Sequence, residues 1–200
     1  MIVLAGPSGA GKSRLAERLG LPVLRLDDFY KSGDDPKLPK ITSGANAGLT
    51  DWDDPGSWLL EDALIALGHL CRDGSAEVPV YEIARNGRCG SQVLDLEGSS
   101  LFVAEGIFAP EVVDGCAERG LLAAAYCVRQ HRLVTFWRRL TRDLRERRKP
   151  PLVLLRRGWA LMRDQGRVVD HAEQLGCRPV TPDEAFAAIG LLHGHADAGC

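Results

Sequence analysis

The sequence predicts a three-layer α/β domain with a parallel central sheet, and three observations carry that expectation. Short apolar runs alternate with segments of helical spacing along the chain. The first run, Met1 to Ala5 (MIVLA), passes through Gly6-Pro7-Ser8-Gly9-Ala10-Gly11-Lys12-Ser13 into a segment where Leu15 and Leu19 recur as on one helix face. No internal repeat or linker interrupts the alternation, so residues 1–200 are expected to form one domain.

The opening carries the strongest chemical signal. GxxxxGKS between a strand and a helix is the phosphate-binding loop pattern, and each residue type has a reason. The glycines let the backbone turn back and aim several N–H groups at one anion, where side chains would obstruct. The helix starting near Gly11 adds the positive end of its dipole. Lys12 can reach the terminal phosphates as a point charge, and the Ser13 hydroxyl can ligand Mg²⁺. A glycine-rich turn that binds nothing is the competing reading. A complete pattern with the correct flank on both sides argues against it.

Gly20 is placed to cap the first helix, and Leu21 to Leu26 (LPVLRL) reads as the second strand. It runs into Asp27-Asp28-Phe29-Tyr30. Ligands of open parallel sheets bind beyond the carboxyl ends of the strands, so acids at this point face the nucleotide crevice. A carboxylate there can take the proton of an acceptor hydroxyl, or hold Mg²⁺ directly or through water. A turn or capping aspartate is the alternative, and for Asp28 it is the favoured one.

Residues 31–57 are a long polar excursion rich in Gly, Asp and Pro, of a length that is usually functional or mobile. Its end, Asp51-Trp52-Asp53-Asp54-Pro55-Gly56-Ser57-Trp58, groups acids with two indoles. Trp52 and Trp58 read as packing residues, and Asp53 as either a substrate-hydroxyl acceptor or a cap. A helix from about Trp58 to Cys71 presents Leu60, Ala63, Leu64 and Leu67 as one stripe. Val78–Ile83 and Ser91–Leu96 flank Arg85-Asn86-Gly87-Arg88, and Asn-Gly is a strong hairpin signal. Residues 78–97 are therefore expected to be an inserted hairpin that covers or clamps substrate. Ser99–Ala104 reads as the third core strand. Glu105 at its end falls where a Mg²⁺-side carboxylate is needed, with a plain strand-end glutamate as the alternative.

A helix over Pro110–Arg119 and a strand over Leu121–Val128 follow. Residues 129–149 then crowd eight arginines and a lysine around Leu133, Phe136, Trp137, Leu140 and Leu144. In a chain of net charge −2 that concentration needs an anion. An arginine-rich helix closing over the γ-phosphate would supply the charge stabilisation of phosphoryl transfer, and a solvated helix face is the bland alternative. Beyond Pro150-Pro151, a helix over about Leu152–Leu175, a short strand over Gly176–Val180 and a final helix bearing Ala185, Phe186 and Ile189 complete the chain.

Composition narrows the function. A chain of 200 residues that is 45% hydrophobic can bury a substantial core, and its net acidity argues against a general nucleic-acid binder. No run approaches bilayer-spanning length, and the first apolar run enters the phosphate loop without a basic leader, so no membrane contact and a cytoplasmic location are expected. Cys71, Cys89, Cys116, Cys127 and Cys177 show no paired spacing and are expected to be reduced, small apolar residues, with Cys200 an exposed thiol. His193-Gly194-His195 lies in a Gly/Ala-rich tail expected to lack order.

Taken together, Gly6–Ser13, Asp27–Tyr30, Asp51-Trp52-Asp53-Asp54-Pro55, Pro79-Val80-Tyr81-Glu82, Phe102–Ile107 and Arg138–Arg147 fall in the order seen in uridine kinases. Residues 1–149 resemble that family. The resemblance implies a P-loop NTPase/kinase fold with an inserted β-hairpin and a lid over 129–149. It implies a Mg²⁺-dependent transfer of the ATP γ-phosphate to the 5′-hydroxyl of a nucleoside such as uridine or cytidine. Asp27 then matches the catalytic base. Lys12, Arg139 and Arg142 act on the transferring phosphate, Gly6, Pro7, Ser8, Gly9, Ala10, Gly11, Lys12, Ser13 and Arg147 contact ATP, and Ser13, Asp27 and Glu105 form the Mg²⁺ side. Asp53 matches the aspartate that binds the ribose hydroxyls. Tyr30, Tyr81, Asn86, Arg139 and Arg142 complete the acceptor side.

This chain also departs from the family. Asn86 stands where the family carries a base-reading histidine, Asp54 stands where it usually carries His, and the pattern stops after Lys149. The phosphotransfer machinery carries over and base recognition does not. The same chemistry on another small alcohol (pantothenate, ribosylnicotinamide or a sugar) is the first alternative. A nucleotide-binding regulator without activity is the second, and Asp27, Glu105 and the arginines speak against it. No nucleic-acid partner is expected, and homo-oligomerisation stays open.

Overall fold

The computed structural model describes residues 1–44, 46–131, 133–137, 141 and 165–197. Its centre is β1 (Ile2–Ala5), which pairs in parallel with β5 (Val103–Glu105) on one side and β6 (Ala124–Val128) on the other. β2 (Val23–Arg25) and β7 (Arg178–Val180) close the edges, giving the order β2-β5-β1-β6-β7. The two-residue side-chain period sends Val3 and Ala5 to one face and Ile2 and Leu4 to the other, and all four are fully buried. A strand apolar on both faces needs a helix layer on each. One layer holds α2 (Leu60–Asp73), α3 (Val113–Glu118) and α4 (residues 165–174), packed through Leu67, Leu70, Cys116 and Ala172. The other holds α1 (Lys12–Leu19) and α5 (Pro182–Asp197), packed through Leu15, Ala16, Ala185 and Ile189. These are the expected three layers on a parallel sheet.

The hairpin is the expected insertion. β3 (Ser75–Glu82) and β4 (Gly87–Asp95) form an antiparallel pair separate from the main sheet. Asn86 takes the left-handed conformation (φ 51°) that Asn tolerates, so the chain reverses through the 3₁₀ turn Ile83–Arg85. Val80 pairs with Gly90 but Tyr81 with Arg88, so Cys89 is one residue too many and the ladder bulges there.

Several boundaries differ from expectation, each for a packing reason. β2 is only three residues long, because the chain turns at Leu26–Phe29 into a 3₁₀ turn that buries Leu26 and Phe29. β5 starts at Val103 and includes Glu105, rather than ending before it. Trp58 precedes α2. Its indole is buried and donates to the Leu26 carbonyl at 2.7 Å, so the helix starts at Leu60, which is exposed, and the buried stripe is Ala63, Leu64, Leu67 and Leu70. Pro110 sits in a 3₁₀ turn (Ala109–Val112) ahead of α3. Residues 193–195, expected to lack order, lie within α5. Cys116, Cys127 and Cys177 are buried as expected, whereas Cys71 and Cys89 are exposed. Cys200 and residues 152–164 lie outside the described residues. Among the described residues, no helix is long and apolar enough to cross a membrane.

Candidate phosphate-transfer site

The carboxyl end of β1 lies where the chain crosses to opposite sides of the sheet, which is where open α/β sheets hold ligands. Gly6, Gly9 and Gly11 there adopt φ of 132°, 87° and 101°, conformations that an L side chain resists. A Cβ on Gly6 would lie 2.4 Å from the Val128 carbonyl oxygen of the neighbouring strand. The loop therefore lies tight against β6, and Gly11 in the left-handed conformation directs the chain into α1. Lys12 extends back over the loop, its Nζ donating to the Gly6 carbonyl at 2.7 Å. An ammonium held over backbone N–H groups at a helix start suits a phosphate chain.

Ser13, one residue into α1, donates its Oγ–H to Glu105 Oε1 at 2.9 Å. β5 lies beside β1 in the sheet, which brings together two residues 92 positions apart. The Ile107 N–H donates to Asp27 Oδ1 at 2.9 Å and holds the exposed Asp27 carboxylate beyond the end of β2, next to the same strand end. Hydroxyl and carboxylate oxygens are the donors a hard divalent cation prefers. Among the described residues no group of three His, Cys, Asp or Glu side chains forms a metal cage.

An aromatic wall stands beside Asp27. The Tyr30 ring lies 5.7 Å from Trp52, 5.8 Å from Tyr81 and 5.6 Å from Phe108, and its hydroxyl donates to the Trp52 carbonyl at 3.2 Å. Burial first, then the charges of Asp27 and Asp53, push the Tyr30 hydroxyl well above the ordinary phenol range, so it stays protonated. Burial likewise raises Tyr81, whose hydroxyl donates to Asn86 Oδ1 at 3.4 Å. The Asn86 carbonyl accepts from the Gly33 N–H at 2.7 Å, tying the hairpin tip to the excursion after β2. Asp53 is exposed, and the cap proves to be its neighbour: Asp54 accepts from the Gly56 N–H at 2.7 Å.

The structure thus brings together the phosphate loop, Ser13, Glu105, Asp27, Tyr30, Tyr81 and Asn86, with Asp53 at the rim. Arg139, Arg142 and Arg147 lie outside the described residues, as does most of 129–149. The sequence was read as giving Arg88 a place in the hairpin turn alone and Asp28 a turn or capping role. Arg88 spans from the hairpin to Asp62 of α2 (3.3 Å) and to the Tyr30 carbonyl (3.4 Å). Asp28 is buried behind Asp27, and the one signal for it was the doubled aspartate ahead of Phe-Tyr.

No family model matches the chain. It is 29% identical over 114 residues to Arabidopsis thaliana inorganic pyrophosphatase TTM2 and 28% identical over 116 residues to Saccharomyces cerevisiae uridine kinase, each match covering 54% of this chain. The matched stretches span only 15% and 22% of those relatives' own lengths. In structure it is similar to a protein from Silicibacter sp. TM1040 assigned provisionally as a fructose transport system kinase, with a TM-score of 0.56 and 16% identity over 90% of this chain and 86% of that one. The resemblance read from the sequence is borne out at the level of architecture: the chain has a three-layer α/β fold on a parallel five-stranded sheet, similar to that of the Silicibacter protein.

Proposed function

We propose that this protein transfers the ATP γ-phosphate to the hydroxyl of a small, nucleoside-like acceptor. The observation that carries this reading is Asp27. It is a carboxylate held by one oxygen beside the Ser13–Glu105 pair and next to an aromatic wall, an arrangement a mere phosphate binder does not need. The Ile107 N–H engages Oδ1, which leaves Oδ2 to accept the proton of the acceptor hydroxyl as that oxygen bonds to phosphorus and ADP departs. The backbone of Gly6–Ser13 and the Lys12 ammonium hold the phosphate chain in line. Ser13 and Glu105, with Asp27 close by, are the oxygens that would hold Mg²⁺, which when bound neutralises phosphate charge. Tyr30 and Tyr81 offer faces for a flat acceptor, and Asp53 an acceptor for its hydroxyls. Arg139, Arg142 and Arg147 are assigned the charge that develops on the phosphoryl group.

One observation favours a non-pyrimidine acceptor. Asn86 stands in place of the base-reading histidine, and its side-chain oxygen already accepts from the Tyr81 hydroxyl at 3.4 Å. The test is turnover of Mg·ATP against uridine, cytidine, other nucleosides, ribosylnicotinamide, pantothenate and sugars, with the phosphorylated product identified by mass. Inorganic pyrophosphate serves as a control for plain phosphoanhydride cleavage. We expect one acceptor to be phosphorylated. Asp27→Asn should lower that rate by about 10²–10⁴ while ATP still binds, which is the usual contribution of a general base. A protein that binds ATP and phosphorylates nothing, or an Asp27→Asn variant at the wild-type rate, would overturn the reading.

A further inference from the structure

The hairpin that carries Tyr81 is a two-stranded ladder outside the main sheet, and such a ladder holds its place only through what it packs against. Its base is held by the core, where Ala76 and Val78 are buried. From Pro79 to Glu82 the residues of β3 are only partly buried, and β4 is mostly exposed. Towards the tip, polar contacts must therefore fix the hairpin, and they converge on Arg88.

Arg88 stands directly opposite Tyr81 in the ladder, next to the bulge at Cys89. Its Nε donates to the Tyr30 carbonyl at 3.4 Å, and Nη1 and Nη2 each lie 3.3 Å from Asp62 Oδ2. The Tyr30 carbonyl is free to accept for a backbone reason. Tyr30 bridges Trp58 in antiparallel fashion, with the Lys31 N–H donating to the Ser57 carbonyl and the Leu59 N–H to the Phe29 carbonyl. Those flanking groups face Trp58, so the carbonyl of Tyr30 itself faces the other way, towards the hairpin. Asp62 is in the first turn of α2, four residues after Trp58. One guanidinium thus joins the hairpin, the Tyr30 backbone and α2, which its planar fork of donors allows and a single ammonium would not. The tip is fastened beside it. The Arg88 N–H donates to Ser32 Oγ at 3.5 Å, and a Cβ on Gly33 would lie 1.8 Å from Asn86 Nδ2, so the excursion after β2 meets the tip where only glycine fits.

We propose that Arg88 is a positioning residue for the acceptor: by tying the hairpin to the Tyr30 carbonyl and to Asp62, it holds the Tyr81 ring 5.8 Å from the Tyr30 ring and so sets the acceptor-side wall. The inference rests on the proposed kinase reading. It separates two tasks: Asp27 faces the reacting hydroxyl, and Arg88 fixes the surface on which the acceptor lies.

Hydrogen exchange and steady-state kinetics on the full chain together test the tie. Arg88→Ala should speed amide exchange in residues 79–90 and raise the acceptor KM about fivefold, with the KM for ATP unchanged. The factor is modest because the Arg88 and Asp62 side chains are 30% and 49% exposed. Asp62→Ala, a surface change on α2 that guards against an Arg88 variant that folds poorly, removes one arm and should raise the acceptor KM about twofold. The double variant should be no worse than Arg88→Ala alone, because the two residues act through one contact. Unchanged exchange in Arg88→Ala would refute the tie. Faster exchange with the acceptor KM unmoved would reduce Arg88 to a structural role. A raised KM in Arg88→Ala that Asp62→Ala does not share, or that adds to it in the double variant, would mean that Arg88 touches the acceptor itself and does not act by positioning. If the wild type phosphorylates no acceptor, the kinase reading fails, and the exchange experiment alone still decides whether Arg88 fastens the hairpin.

Discussion

Asp27 and Asp28 are the same residue type in adjacent positions, and the structure gives them opposite environments. Asp27 is exposed with one oxygen bonded to Ile107, whereas Asp28 is 6% exposed and its carboxyl is pushed above the ordinary range by burial. Arg25 and the Tyr81 N–H oppose that shift, and the Asp27 charge adds to it. In the sequence both read as turn or crevice acids, since what separates them is the direction of a 3₁₀ turn, which no local residue pattern specifies. The pH consequence has a definite sign. Folding raises the Asp28 pKa, so the folded state holds this proton more tightly than the unfolded chain. The contribution is complete in acid, below the ordinary value of 3.8, and is lost as pH rises through the raised value. Asp28→Asn does not titrate. Its melting temperature relative to wild type should therefore climb between about pH 4 and neutrality as the wild-type carboxyl ionises. A difference that stays flat from pH 4 to 7, measured by thermal melts in matched buffers, would show that Asp28 does not ionise in a buried setting.

Between the residue and the molecule, the site depends on two elements packed closely enough that only glycine fits. A Cβ on Gly106 would lie 2.9 Å from Leu26 Cβ, 2.8 Å from Asp27 Oδ1 and 3.2 Å from the Asp27 nitrogen. The end of β5 and the turn after β2 are thus in direct contact, and that contact sets where Asp27 stands. Gly106→Ala must part them. It should cost about 1–3 kcal/mol of stability in denaturant unfolding, as overpacking usually does. Turnover should fall further than stability, with ATP affinity kept, because the phosphate loop is on another strand. Wild-type turnover in a folded Gly106→Ala would mean that Asp27 is not positioned by this packing. Gly6, Gly9 and Gly11 were legible in the sequence because they lie in one contiguous pattern. The role of Gly106 was not, since the Ile107 bond that accompanies it reaches 80 residues back along the chain. Trp58 shows the same limit. The sequence reading made it a packing residue, but its exclusion from α2 follows from a hydrogen bond to Leu26, 32 residues away.

For the whole molecule, the alternation of apolar runs and helical segments was enough to read the layers and the parallel sheet. The strand order was not legible, because β2-β5-β1-β6-β7 arises from which crossover packs against which face. That order places the phosphate loop centrally, with Glu105 and Asp27 on one side and the start of the basic segment on the other, so nucleotide binding should tie both halves of the sheet to β1. A ligand that binds only the folded state stabilises it by about 2.7 kcal/mol at a hundredfold excess over Kd. For a chain of 200 residues that corresponds to a rise in melting temperature of about 5–10 °C. We expect Mg·ATP to produce such a rise and Lys12→Ala to lose most of it at the same ATP concentration, because its ammonium holds the phosphates. A short DNA or RNA duplex should produce none, the arginine block notwithstanding, since the net charge is −2. An equal ATP-induced shift in wild type and Lys12→Ala would place the nucleotide away from the loop. A shift with nucleic acid that collapses between 50 and 200 mM salt would instead assign the basic segment to a phosphate backbone.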